Sequence, residues 1–148
     1  MIEYNTHFDP IQSLIKKHDN GFYYAIHKGK LFNSVFQPIF NEKMKIIGYE
    51  ALVRITMEGA IINPQQFFDD LEYDVQEDTF YFLLTAKLHL QNFSIFNNGC
   101  FLCVNTSPNV FNYLSANDQA IVQLLNRLNY LKINPEQLIY EVTEKYNS

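Results

Sequence analysis

Three apolar segments of this chain each carry one oxygen-bearing side chain: Glu50 in IIGYEALVRI, Asn105 in FLCVNTS and Glu141 in LIYEVTE. In an extended strand, successive side chains point to opposite faces, so residues two apart share one. Gly48, Glu50, Leu52 and Arg54 then share a face, with Ile47, Tyr49, Ala51 and Val53 on the other. The same parity groups Phe101, Cys103 and Asn105, and likewise Ile139, Glu141 and Thr143. If the Leu/Val/Tyr face of each strand packs on helices, Glu50, Asn105 and Glu141 all point to the far side of one sheet. Two carboxylates and an amide on neighbouring strands suit a hard cation such as Mg²⁺, Mn²⁺ or Ca²⁺. Arg54 lies two pleats beyond Glu50, about 13 Å along the strand. It is placed to meet a phosphate of a ligand held by the metal. The alternative is that each of the three is a buried polar group satisfied within the protein. One alone would favour that alternative. Three on successive strands weigh towards a site, because each burial costs several kcal/mol unless paired or metal-bound.

Positioning these residues takes a sheet. LFNSVFQPIF and KIIGYEALVRI read as strands joined by the short turn NEKM, hence an antiparallel pair. Asn63-Pro64 opens a short helical stretch, PQQFFDDL, and a long helix follows from about Val75 to Phe96. CFLCVNTS is the next strand, a helix spans about Asp118 to Leu131, and QLIYEVTE is the last strand. Helical crossovers between strands argue for a parallel sheet in an α/β fold. Ahead of the sheet, Asp9-Pro10 opens a predicted helix, IQSLIKKH, that stops at Asn20-Gly21. A second, FYYAIHK, ends at Gly29. Residues 1–30 are thus expected to be N-terminal helices leading into a domain over 31–148.

Composition narrows the function. The 148 residues suit one domain. The net charge of −5, with no run of Lys and Arg, argues against a nucleic-acid polymer as partner. No apolar run approaches a membrane span, and MIEYNTHFDP has no signal-peptide pattern, so a cytoplasmic protein with no membrane segment is expected. Cys100 and Cys103 lie three apart in a strand and point to opposite faces, which reads as two buried thiols and not a redox or zinc pair. The acids Asp69, Asp70, Glu72, Asp74, Glu77 and Asp78 gather where a helix begins, and read as a solvated face aided by the helix dipole. His7, His18, His27 and His89 are scattered, with surface or helix-face roles expected.

In this order, FQPIF, IIGYEALVRI, GAIINPQQFF, FLCVNTSP and LIYEVTE resemble the motifs of the EAL domain family, the bacterial cyclic di-GMP phosphodiesterases of second-messenger signalling. The likeness runs from Phe22 to Glu144. It implies a modified eight-stranded TIM-like barrel whose first strand is antiparallel to the rest. It implies Glu50, Asn105 and Glu141 as ligands of Mg²⁺ or Mn²⁺, Arg54 as a phosphate contact, and Gln37 and Leu52 as lining for cyclic di-GMP. Glu144 matches a glutamate that supports an active-site loop. The implied chemistry is two-metal hydrolysis of a phosphodiester to linear pGpG.

The family pattern continues with Asp-Asp-Phe-Gly, a Lys strand and a Glu strand, none of which occurs in these 148 residues. Asp69-Asp70 is no substitute, because it precedes Asn105 and is not followed by Phe-Gly. A complete barrel of this kind needs ~250 residues. The expectation is therefore the first half of such a barrel, incomplete, with no complete catalytic set and no hydrolysis by the isolated chain. Self-association would cover its open side. A non-catalytic EAL-like module that binds cyclic di-GMP or a protein partner is the alternative.

Overall fold

The computed structural model describes residues 10–71 and 73–142. Seven strands form one sheet: β1 (Ile15–Lys17), β2 (Tyr23–His27), β3 (Lys30–Phe40), β4 (Ile46–Met57), β5 (Ala60–Ile62), β6 (Phe101–Thr106) and β7 (Leu138–Val142). The order is β1-β2-β3-β4-β6-β7, with β5 hairpinned onto β4. The strands from β1 to β4 pair antiparallel, while β4-β6 and β6-β7 are parallel. The expected hairpin between FQPIF and GYEALVRI is thus present, followed by the expected parallel run. The sheet is open, since among the described residues β1 and β7 each have one paired neighbour. It is the incomplete barrel that the resemblance implies.

Among the described residues, four helices supply the crossovers: α1 (Pro64–Asp70), α2 (Val75–Phe96), α3 (Pro108–Ser115) and α4 (Asp118–Tyr130). Their starts follow from side-chain caps. Asn63, Asp74, Ser107 and Asn117 each accept a hydrogen bond from a backbone N–H of the first turn, and Pro64 and Pro108 occupy the first helical position. α3 is absent from the elements expected from sequence, although Ser107-Pro108 carries a cap and a first-position proline. The helices cover one face of the sheet. Ala51, Val53 and Ile55 of β4 and Leu102 and Val104 of β6 pack there with Leu84, Leu88, Leu90 and Phe93 of α2.

The two N-terminal helices are corrected. IQSLIKKH contains a short 3-10 turn and then β1, and FYYAIHK is β2. Gly29 does not end a helix. Lys28 and Gly29 both have positive φ (49° and 77°), the two-residue turn that matches the twist of a hairpin. Glu58 and Gly59 (51° and 80°) repeat it between β4 and β5. β1 and β2 therefore extend the sheet.

Gly48 is needed for a different reason. A Cβ there would lie 2.9 Å from the Phe101 carbonyl oxygen, so β4 approaches β6 this closely only without a side chain.

Candidate functional site

Register decides which side chains meet. Gln37 pairs with Glu50, Val35 with Leu52 and Asn33 with Arg54 across β3-β4. Glu50 pairs with Cys103 across β4-β6. Cys103 pairs with Ile139, and Asn105 with Glu141, across β6-β7. Paired residues share a face, so Gln37, Glu50, Leu52, Arg54, Cys103, Asn105 and Glu141 all lie on the side away from the helices. Ala51, Val53 and Ile55 are at most 8% exposed, whereas Arg54, Gln37 and Glu141 are exposed and Glu50, Leu52 and Asn105 half-buried. The parity read from sequence holds. Glu144 lies outside the described residues.

The carboxylates of Glu50 and Glu141 flank Cys103. Burial first, then the charges of Glu141 and Glu50, pushes the Cys103 thiol above its ordinary range. Both cysteines are free and half-buried, less enclosed than expected. Among the described residues, no hydrogen bond engages the side chains of Glu50, Asn105 or Glu141. Nor does any group of three or more His, Cys, Asp or Glu side chains there gather closely enough to hold a metal ion. Two carboxylates and one amide are hard oxygen donors, the chemistry a divalent cation such as Mg²⁺ or Mn²⁺ would require, and alone they would fill only part of its shell.

Arg54 and Asn105 also line one cleft of about 340 Å³, with Leu52, Gln65, Phe68 and His89. It forms where β4 outruns its neighbour. The β4-β6 ladder ends at Ala51 and Val104, and beyond it this edge of β4 faces α1 and α2. The Arg54 guanidinium donates to the carbonyl of Val53 (3.3 Å). Gln37, Glu50 and Glu141 are not part of the cleft lining.

His89 backs this cleft and is 4% exposed. Its Nδ1 lies 2.7 Å from Ser34 Oγ, which accepts from Asn92 Nδ2 (3.0 Å). Asn92 also donates to the Tyr23 carbonyl (3.0 Å) and accepts from the Tyr23 N–H (2.7 Å). Burial lowers the His89 pKa to about 3, so the ring is neutral. This network ties α2 to β2 and β3, a role the scattered histidines do not reveal in sequence.

The acidic stretch is corrected at one residue. Asp78 is wholly buried, and its Oδ2 accepts from Ser107 Oγ (2.7 Å) and Asn109 Nδ2 (3.0 Å). Asp74 caps α2 and Asp70 accepts from Gln66, so those two keep local helix roles. Glu72 lies outside the described residues. Among the described residues, no helix is long and apolar enough to cross a membrane.

Comparison with known proteins gives a family and a set of folds. No curated protein matches the chain significantly in sequence. Among solved structures, it resembles the Bacillus subtilis YkuI protein, which has an EAL domain and was solved with its substrate c-di-GMP and calcium. The TM-score is 0.63 at 22% identity, over 76% of this chain and 28% of that one. The Xanthomonas citri FimX EAL domain, solved with c-di-GMP, matches at TM-score 0.57 and 20% identity, over 76% and 44%. A Listeria monocytogenes EAL domain protein matches at 0.58 and 23%, over 76% and 44%. The chain thus spans less than half the length of these relatives. The EAL domain family model matches residues 20–148, and the chain belongs to the EAL domain family.

Proposed function

We propose that this chain carries the cyclic di-GMP-binding face of a metal-dependent phosphodiesterase domain. In this reading Glu50, Asn105 and Glu141 hold Mg²⁺ or Mn²⁺, and Arg54 meets a phosphate of the ligand. Gln37 and Leu52 line the site, and Glu144 supports a neighbouring loop. The observation that supports it is the register that sets Glu50, Asn105 and Glu141 on one face of three adjacent strands, with both carboxylate charges acting on Cys103. Bound divalent ions supply charge neutralisation and an activated water in phosphodiester hydrolysis.

The residues of this chain bind and orient. The two carboxylates place positive charge beside the phosphate once an ion is bound. Arg54 offers a fork of N–H donors from the same face, and the half-buried Leu52 gives an apolar wall. Two carboxylates and one amide are too few for a two-metal site, so the 148-residue chain binds without turning the ligand over. The open face leaves Val35, Phe101 and Ile139 39%, 47% and 45% exposed. A second copy covers the unpaired sheet edges beside this face and leaves the ligand side open, and light scattering at micromolar concentration should find a dimer or larger; a stable monomer would contradict it.

Calorimetry with cyclic di-GMP and Mn²⁺, followed by chromatography for pGpG, tests the reading. Metal-dependent uptake without pGpG is expected. No uptake, or turnover, would overturn the corresponding half.

A further inference from the structure

We infer that Asp78 is a positioning residue for Asn105, acting through the turn that follows β6. This rests on the reading of Asn105 as part of the ion-binding face. A carboxylate with no exposed surface needs a reason, because burial of its charge is costly unless hydrogen bonds compensate. A favourable interaction with the start of α2 does not require it, since an exposed acid serves there equally well. The partners of Asp78 supply the reason. One oxygen, Oδ2, accepts from both Ser107 Oγ and Asn109 Nδ2. Ser107 is itself wholly buried, and its Oγ accepts from the Val110 N–H at the start of α3. The first turn of α2 thus anchors the β6-α3 turn by charge-assisted hydrogen bonds.

Asn105 stands two residues before that anchor, near the end of β6. Val104 and Thr106 on either side of it are buried on the helix face, so Asn105 is held to the opposite face. The end of a strand is where backbone orientation slips first. The clamp on Ser107 fixes it. Asp78 touches no ligand in this arrangement. It sets the direction of the Asn105 amide, as partners behind first-rank metal ligands generally do.

The test is NMR of the Asn105 side-chain amide in the metal-free chain, together with Mn²⁺ titration followed by electron paramagnetic resonance. Asp78→Ala should move or double the Asn105 amide signals and weaken Mn²⁺ binding by about tenfold. Asp78→Asn, which keeps an acceptor oxygen, should recover affinity to within about threefold of wild type. Ser107→Ala should shift the same signals in the same direction, and it carries the test with Asp78→Asn if Asp78→Ala does not fold. Leu128→Ala, a buried core change away from the turn, should lower the melting temperature but leave the Asn105 signals in place. Unmoved Asn105 signals in folded Asp78 and Ser107 variants would overturn the positioning role. So would moved signals with unchanged Mn²⁺ affinity. If the wild-type chain takes up no Mn²⁺, the ion-binding reading fails, and the Asn105 signals still decide whether Asp78 positions that residue.

Discussion

The two faces of β4 make different demands on the same strand. Ala51, Val53 and Ile55 are enclosed by α2 and its neighbours, while Glu50, Leu52 and Arg54 point to the open side. Alternation places both sets within one short segment. On the closed face, residue identity is set by volume. On the open face, volume is nearly free, and an acid, a leucine and an arginine in alternation have no packing reason to be there. That contrast makes the open face a candidate site, and substitutions on the two faces should separate stability from binding.

The largest expected effect is on the closed face. Leu88→Ala removes a wholly buried side chain of α2 and should cost about 3 kcal/mol in chemical denaturation. A loss below 1 kcal/mol would mean that the helix layer is loosely packed. Gly48→Ala comes next. It drives a Cβ against the Phe101 backbone and should cost about 2 kcal/mol, with increased amide exchange at the β4-β6 ladder.

His89 tests the closed face through pH. Its folded pKa of about 3 lies below the ordinary 6.5, so the unfolded chain binds the extra proton between those values. The stability associated with neutral His89 is fully present above pH 6.5 and is lost as pH falls towards 3. The slope from this group is about 1.4 kcal/mol per pH unit. Denaturation of wild type and His89→Gln across that window should show the variant losing this component of the slope; parallel curves would contradict the burial of a neutral ring.

The smallest stability effects belong to the open face. Arg54→Ala should change stability by less than about 0.5 kcal/mol, because Arg54 is exposed and its observed contact is with the adjacent carbonyl. It should nevertheless weaken cyclic di-GMP binding by about tenfold through loss of charge-assisted phosphate contacts. A large stability loss with unchanged binding would reverse the assignment of the two faces.

The legible parts of the sequence were those where one signal dominates. α2 spans Val75–Phe96 as read, because acids gather at its start and Asn97-Asn98-Gly99 ends it. The strands of Glu50, Asn105 and Glu141 were legible through alternation alone. The N-terminal segment was not, because a glycine after an apolar run marks the end of a helix or the turn of a hairpin equally well. Only pairing with β3 selects the hairpin. Asp78 was hidden for another reason. Charge composition identifies an acidic stretch but cannot tell which member turns inward, and its partners Ser107 and Asn109 lie 29 and 31 residues away. The cleft beside Arg54 was equally invisible, since it depends on where the β4-β6 ladder stops.

In the proposed function, Glu50, Asn105 and Glu141 act together on one ligand-bound cation. Calorimetric titration of cyclic di-GMP into the wild-type chain and into Glu50→Gln, each with and without Mn²⁺, tests it most directly. The expected result is binding to wild type that depends on Mn²⁺, weakened by about tenfold or more in Glu50→Gln while the melting curve stays unchanged. Binding of equal strength in wild type and variant, indifferent to Mn²⁺, would contradict a shared cation at these three residues.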